Sequence, residues 1–201
     1  MINFYDTKFK VTKQKDQFLK LKEGANKVRF FPEHLVCFEI FVEILDEKNQ
    51  RQIKPLRKTE PFTSEELNQL TLNNPADKAK LTLIQLVYDY ADEEFKFWSI
   101  TQNSLLTALK EYSQNPDYGN PVNYDITISK KGQNLDTEYT FMPSPPKPLD
   151  KIIAKRSKNL TFDLKKLLNS EYPADNFPFE KKEVKESPLP SISELNESLK
   201  N

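Results

Sequence analysis

Residues 35–45 have the sequence LVCFEIFVEIL, in which hydrophobic side chains recur at every second position. A period of two places alternate side chains on one face of a strand, whereas a helix needs a period of 3.6. The face formed in this way carries Val36, Phe38, Ile40, Val42 and Ile44. The stretch therefore predicts the strongest β-strand of the chain.

Shorter strand-like runs flank this stretch on both sides. Upstream, FLKLK (18–22) and KVRFF (27–31) alternate in the same way, and Pro32 ends the second run. Downstream, RQIKPLRK (51–58) contains Pro55, which marks an edge strand or an irregular one. Further strands are predicted at residues 81–90, 95–100, 124–130 and 137–143.

Helical patterns interrupt these strands in two places. Thr63 and Glu66 have the spacing of a capping box, which predicts a helix start. Residues 99–114 are predicted to be helical because apolar residues recur at helical spacing, namely Leu105, Leu106, Leu109 and Tyr112. Several short strands with one interposed helix fit a small Greek-key barrel better than a doubly wound α/β sheet. We therefore expect a mainly β (α+β) fold built as an OB-like Greek-key barrel.

The composition changes beyond Pro143. SPPKP (144–148) is typical of a stiff linker, and residues 149–157 and 162–169 are predicted to form short helices. Residues 170–201 are rich in Pro, Ser and charge, so we expect them to be largely disordered. The predicted divisions are a flexible lead-in (1–16), an OB-like core (17–150), a helical extension (151–182) and a flexible tail (183–201).

The charge of the chain is balanced but unevenly distributed. The 30 Lys and Arg residues match the 30 Asp and Glu residues, so bulk charge does not indicate a nucleic-acid partner. Residues 1–60 hold 13 basic against 9 acidic residues, whereas residues 61–150 hold 7 against 13. A positive surface must therefore arise from local segregation of charge.

Cysteine and histidine are too scarce for a disulfide or a Cys/His zinc site, since the chain has only Cys37 and His34. A single Cys suits a reducing compartment. No stretch approaches the roughly 18 apolar residues of a membrane span, and the first 15 residues lack the apolar run of a signal peptide. We expect a soluble, cytoplasmic protein without a metal or other cofactor.

Catalytic motifs are also missing from the sequence. Its three glycines, Gly24, Gly119 and Gly132, are too far apart to form a phosphate-binding loop. The acidic residues of the stretch 89–94 are contiguous on a predicted turn, whereas a two-metal nuclease needs carboxylates converging from separate strands. We therefore expect no enzymatic activity.

Binding of single-stranded nucleic acid requires cations that follow the phosphates and flat side chains on which bases stack. If Val28 and Phe30 point into the core, then Lys27, Arg29 and Phe31 share the outward face. The run 51–58 holds four cations and no acid, and a further basic pair precedes Gly132 at a hairpin loop. The cations predicted to contact DNA are Lys27, Arg29, Arg51, Lys54, Arg57, Lys58, Lys130 and Lys131.

Most aromatic residues of a barrel belong to its core, so few can serve as stacking platforms. Phe38, Tyr124 and Phe141 fit the core better than the surface. Phe31 and Phe41 alternate with charged neighbours and are the favoured stacking residues, together with Trp98, which could equally belong to the core. A solvated face without a ligand is the alternative for each of the basic runs.

Three further stretches carry a resemblance to a known family. They are DYGNP at 117–121, YDITISKKG at 124–132 and DTEY at 136–139, and the upstream hairpin FLKLKEGANKVRFFP (18–32) accompanies them. In this order and spacing the segment resembles the single-stranded-DNA-binding proteins of tailed bacteriophages. The resemblance covers about residues 17–150. It implies an OB-fold that coats single-stranded DNA in the host cytoplasm during replication or recombination, without strong sequence preference. Better-known relatives hold a zinc subdomain, whose Cys and His ligands this chain lacks.

The C-terminal tail carries a second predicted binding element. SISE (191–194) has a capping-box pattern, and Ile192, Leu195 and Leu199 fall on one helical face. We expect this face to dock replication or recombination proteins, and a solvated tail is the alternative. At the level of the whole chain, the alternative to DNA binding is an OB-like protein-interaction or virion-associated adaptor.

Overall fold

The structure is a computed structural model that describes residues 18–133 and 136–168 and the backbone of residues 179–180. The predicted lead-in (1–16) and tail (183–201) lie outside these ranges. The elements are β1 (Gly24–Leu45), β2 (Arg51–Lys58), α1 (Ser64–Asn68), β3 (Lys80–Asp89), β4 (Glu94–Ile100), α2 (Asn103–Gln114), a 3-10 turn (Pro121–Asn123), β5 (Asp125–Lys131), β6 (Glu138–Pro143), α3 (Lys151–Ser157), β7 (Leu160–Thr161), α4 (Leu164–Leu168) and β8 (Phe179–Glu180).

Strand β1 joins two predicted strands into one strand of 22 residues. Pro32 does not end it, because Pro32 lies in an irregularity where the four steps from Phe30 to His34 match two steps of β3. A bulge of this kind does not need the N–H group that proline lacks. The side-chain amide of Gln85 donates a hydrogen bond to the carbonyl of Phe31 within the irregularity.

The predicted strand at residues 18–22 is wrong. Within it only Phe18 pairs, in a single bridge to Phe97, and β1 begins at Gly24. The side chain of Asn26 bonds back to the backbone of Lys22, and this local contact holds the segment in a bend instead of a hairpin strand.

The main sheet is antiparallel throughout, with the order β4-β3-β1-β5-β6 and with β2 also paired to β1. Strand β1 is long enough to pair with β5 through residues 24–29 and with β2 through residues 38–45, both along the same edge. Strand β3 pairs with its other edge. Helix α2 connects β4 to β5. The fold is therefore mainly β with few helices, as predicted.

The helices lie where the sequence patterns predict them, but α3 and α4 begin two residues later than the predicted starts at 149 and 162. Thr63 and Glu66 form both hydrogen bonds of the predicted capping box of α1. Helix α2 begins at Asn103 and not at residue 99, because β4 continues to Ile100. The described helices contain no segment long and apolar enough to cross a membrane.

Apolar side chains cover both faces of the sheet. On the inner face, α2 packs its predicted apolar stripe against Val28, Phe30 and Trp98, which we call the inner core. On the opposite, outer face, residues 144–168, here the C-terminal segment, pack over Phe31, Tyr88 and the neighbouring aromatics of β4. The outer core is formed by Phe31, Cys37, Ile84, Leu86, Tyr88, Phe95, Phe97, Ile153 and Leu167.

Candidate nucleic-acid interface

The predicted outward face of β1 is largely covered. Val28 and Phe30 are buried in the inner core as expected, but Arg29 and Phe31 on the other face are only 2% and 6% exposed. The ring of Phe31 lies 5.3 Å from that of Phe95 in the outer core. The prediction that Arg29 and Phe31 face solvent is wrong, because the C-terminal segment covers this part of the outer face.

Arg57 and Trp98 are likewise buried. The guanidinium of Arg57 pairs with Glu39 at 2.5 Å and donates to the carbonyl of Leu167 in α4. Trp98 is 3% exposed and meets Phe30 edge-to-face in the inner core. Of the two roles open to Trp98, the structure supports the core one. Neither residue offers a surface to a base or a phosphate.

The other predicted contact residues remain accessible, but in two separate places. Lys27 and Lys130 lie where β1 pairs with β5, and Lys131 follows on β5, although Lys130 is half-buried and donates to the carbonyl of Leu21. The second group lies on the β1–β2 hairpin and comprises Phe41, Arg51, Lys54 and Lys58. The docking residues Ile192, Leu195 and Leu199 lie outside the described residues.

Two members of the hairpin group already have partners. The ammonium of Lys58 bonds to both carboxylate oxygens of Glu66 at 2.6 Å, and Arg51 pairs loosely with Glu43 at 3.7 Å. Both pairs are accessible to solvent, so they contribute little to stability and can exchange for other anions. Lys54 is exposed on the opposite face of the hairpin from Phe41.

A fully buried carboxylate, Asp125, forms the densest charged cluster of the outer face. Its oxygens lie 3.0 Å from the Lys27 ammonium, 2.7 Å from the Lys147 ammonium and 3.3 Å from the Arg29 guanidinium. The Tyr90 hydroxyl donates to it at 2.9 Å. We refer to these five residues as the Asp125 cluster.

The electrostatics of the Asp125 cluster favour the charged carboxylate. Burial by itself raises the pKa of Asp125, but hydrogen bonds from Lys147, Lys27 and Tyr90 outweigh it and lower that pKa to about 2. Burial, followed by the hydrogen bond to Asp125, raises the pKa of Tyr90 above its ordinary value. The carboxylate is therefore ionised and Tyr90 protonated at neutral pH.

The Asp125 cluster carries more positive charge than its carboxylate can neutralise. Three cations surround one anion, which leaves a surplus of two positive charges. The side chains of Lys27 and Lys147 are 45% and 51% exposed, so this surplus faces solvent. The Lys27 ammonium also lies 4.7 Å from the centre of the Tyr90 ring, which places an aromatic face beside the charge.

The outer face stays open from the Asp125 cluster towards the β5–β6 hairpin. Cross-strand partners share a face, so Lys27, Thr127 and Met142 form one row across β1, β5 and β6. Met142 is 45% exposed. Lys131 lies on the same face of β5, about 13 Å from Thr127 at about 3.3 Å per residue. An open strip with cations at both ends results.

At the other end of the outer face lies a pocket of about 270 Å³, which we call the Phe41 pocket. It forms where β3 begins and β4 ends, and no residue of the C-terminal segment lines it. Its lining residues are Glu39, Ile40, Phe41, Asp77, Lys78, Lys80, Ser99 and Thr101. The pairs Glu39–Lys80 and Ile84–Ser99 show that β1, β3 and β4 all contribute their outer faces to it.

The acidic cluster at 89–94 is a salt-bridged turn. Lys96 is buried and pairs with Asp89 at 2.9 Å and with Asp92, which also pairs with Lys22. Among the described residues, no three His, Cys, Asp or Glu side chains are grouped as metal ligands would be.

Sequence reasoning missed three members of the Asp125 cluster: Tyr90, Asp125 and Lys147. One signal was available, because Asp125 interrupts an apolar strand, and a carboxylate buried there requires cationic partners. Nothing local indicates Lys147, which the Pro-rich segment carries across the sheet.

No protein-family model, curated protein or solved structure matches this chain.

Proposed function

We propose that this protein binds single-stranded DNA without sequence preference and protects it during replication or recombination. The observation that carries the proposal is the surplus of two positive charges at the Asp125 cluster, beside Tyr90, in a chain of zero net charge. Cations next to an aromatic face are what a single-strand groove requires.

The geometry of the lysines leaves them able to take up phosphates. An ammonium group has three N–H donors, and among the described residues Lys27 and Lys147 each form a single ion pair, with Asp125. Arg29 alone could neutralise the carboxylate, since it is buried beside it. The two half-exposed ammonium groups therefore exceed the one positive charge that balances the carboxylate, and they are held beside it by their ion pairs.

The connectivity supports an OB-like assignment. An OB-fold has five strands that form a partly open barrel. Without β2, five strands remain in the order β4-β3-β1-β5-β6, with a helix between β4 and β5. This strand order and helix position agree with an OB-fold. Strands β4 and β6 would then be the two at the barrel opening, and within the described residues they are not paired.

The phage resemblance agrees with this proposal. Arg29 belongs to the stretch 18–32, whose sequence resembles the family's first hairpin although residues 18–22 form no strand here, and Asp125 belongs to the YDITISKKG stretch. These two stretches are nearly a hundred residues apart, and they meet in the Asp125 cluster through an ion pair of 3.3 Å. On this reading the shared motifs maintain the scaffold, and the neighbouring lysines contact DNA. The location would be the host cytoplasm, and the tail would recruit replication or recombination proteins.

Charge-removal variants test the proposal. We expect Lys27→Gln and Lys147→Gln each to reduce the slope of log affinity against log salt by about 0.7 for a labelled dT oligomer, as for the loss of one phosphate contact. Lys110→Gln, on the exposed surface of α2, is the matched control and should leave the slope unchanged. Equal slopes for the unmodified protein and all three variants would contradict the proposed interface.

A second function, a protein-interaction adaptor, is favoured by one observation. Phe41, Leu45 and Ile53 share the outer face of the β1–β2 hairpin and are 44%, 63% and 57% exposed. Clustered apolar side chains of this kind often mark protein-binding surfaces. If the protein fails to bind dT oligomers at low salt, the adaptor function is the one to pursue.

A further inference from the structure

The Phe41 pocket combines three features that the Asp125 cluster lacks. It is concave, with a volume of about 270 Å³, and an aromatic ring that is 44% exposed forms part of its wall. It also has two exposed lysines, Lys78 and Lys80, which form no ion pair with any other described residue. Pockets for drug-sized ligands span about 300–1,000 Å³, so this one suits a single ring system and not a larger ligand.

The lining also has unused hydrogen-bonding capacity. The hydroxyl oxygen of Ser99 is buried and has no partner among the described residues. A buried hydroxyl without a protein partner costs free energy, which a ligand that forms a hydrogen bond to it would recover. Thr101 and Asp77 add further polar groups to the same lining.

We propose that the Phe41 pocket is a nucleobase-binding site for one base of a bound single strand. The base stacks on Phe41, its polar edge meets the hydroxyl of Ser99, and Lys78 and Lys80 contact the phosphates on either side. The inference rests on the proposed function, because it assigns the bound strand a second point of contact on the same outer face as the Asp125 cluster.

Other occupants fit the lining less well. A purely apolar side chain of a partner protein would leave Ser99 without a hydrogen bond and the two lysines without anions. An acidic peptide would supply anions to the two lysines but no ring to stack on Phe41. A base with its flanking phosphates satisfies the ring, the hydroxyl and both cations together.

The test compares a dT 16-mer with an abasic 16-mer that has the same phosphates and no bases, using fluorescence anisotropy. The length is at the upper end of the roughly 4–16 nucleotides that one OB-fold covers. We expect Phe41→Ala to weaken dT binding about 5- to 150-fold and to leave abasic binding unchanged, since stacking contributes only to the former. Phe41→Leu, which keeps apolar bulk without the ring, should behave like Phe41→Ala.

Ile53→Ala is the matched control, because Ile53 is more exposed than Phe41 on the neighbouring strand and lies outside the pocket lining. A second readout is Phe41→Trp, whose emission should be quenched by dT and not by the abasic strand, while native Trp98 in the inner core stays silent. If Phe41→Ala binds dT as tightly as the unmodified protein does, the pocket assignment is overturned and the proposed function stands. If the unmodified protein binds neither strand, the proposed function itself fails.

Discussion

Replacing Asp125 with Asn tests how the charged cluster is built. The pKa of Asp125 falls from its usual 3.8 to about 2 in the folded protein, because the hydrogen bonds from Lys147, Lys27 and Tyr90 outweigh the opposing effect of burial. At about 1.4 kcal/mol per pKa unit, this difference is worth about 2 kcal/mol of folding free energy at pH 7. Removing one partner from a buried charged network costs up to about 5 kcal/mol.

Because the folded-state pKa is depressed, the stabilisation is complete above pH 4 and is lost as the pH falls towards 2. We therefore expect Asp125→Asn to lower the free energy of unfolding by about 2–5 kcal/mol at pH 7 and by much less near pH 2. Urea denaturation followed by the fluorescence of buried Trp98 measures both values. Asp117→Asn, at an exposed turn, is the control and should change neither.

The same variant separates structure from DNA contact. Asp125→Asn raises the positive surplus of the cluster from two charges to three. Under conditions where the variant is folded, its affinity for a dT oligomer at low salt should therefore rise while its stability falls. A stability loss that does not depend on pH, or a fall in affinity for the folded variant, would refute this account of the cluster.

Three further outcomes are expected. Glu39→Gln removes the carboxylate charge that pairs with the buried Arg57 guanidinium and should cost about 3–5 kcal/mol in urea denaturation. Burial raises the pKa of Cys37 to about 11, so iodoacetamide at pH 8 should alkylate this thiol quickly only after urea is added; rapid reaction without urea would contradict its burial. Gly132 has φ +82°, and an added Cβ would collide with the Asp136 carbonyl, so Gly132→Ala should cost more than about 1 kcal/mol in the same assay, and an unchanged midpoint would argue against this turn geometry.

Strand periodicity predicted the sheet because alternation depends on local geometry alone. The runs at 35–45 and 51–58 form strands as expected, and β2 pairs only with β1 within the described residues, as the proline at 55 indicates. Pro32 led to a wrong predicted boundary for β1, because proline is typical of a bulge as well as of a strand end. The side-chain amide of Gln85, more than fifty residues away in sequence, stabilises the bulge.

The candidate site was harder to predict, for a reason that Arg29 and Phe31 illustrate. The alternation of side chains shows which residues share a face of a strand. It correctly placed Arg29 and Phe31 on the face opposite to Val28 and Phe30. It cannot tell what covers a face. The sequence predicts a linker and two helices for residues 144–168. Their packing against the outer face depends on contacts with residues that are distant in sequence.

Phe41 shows the converse case. Its exposure was expected from its charged neighbours, and it is exposed. The pocket around it requires the ends of β3 and β4 and the loop at Lys78 to converge, which no single stretch of sequence encodes. Tertiary packing thus covers part of the predicted basic surface and leaves a charged cluster at one end of the outer face and a pocket at the other.

The most direct test of the central claim is the affinity of the unmodified protein for a dT 16-mer, measured by anisotropy as salt is raised from about 50 to 200 mM. We predict tight binding at low salt with a negative slope of log affinity against log salt of at least about 1.4, equivalent to phosphate contacts by Lys27 and Lys147. No binding at the lowest salt, or an affinity that does not change with salt, would contradict single-stranded-DNA binding at this surface.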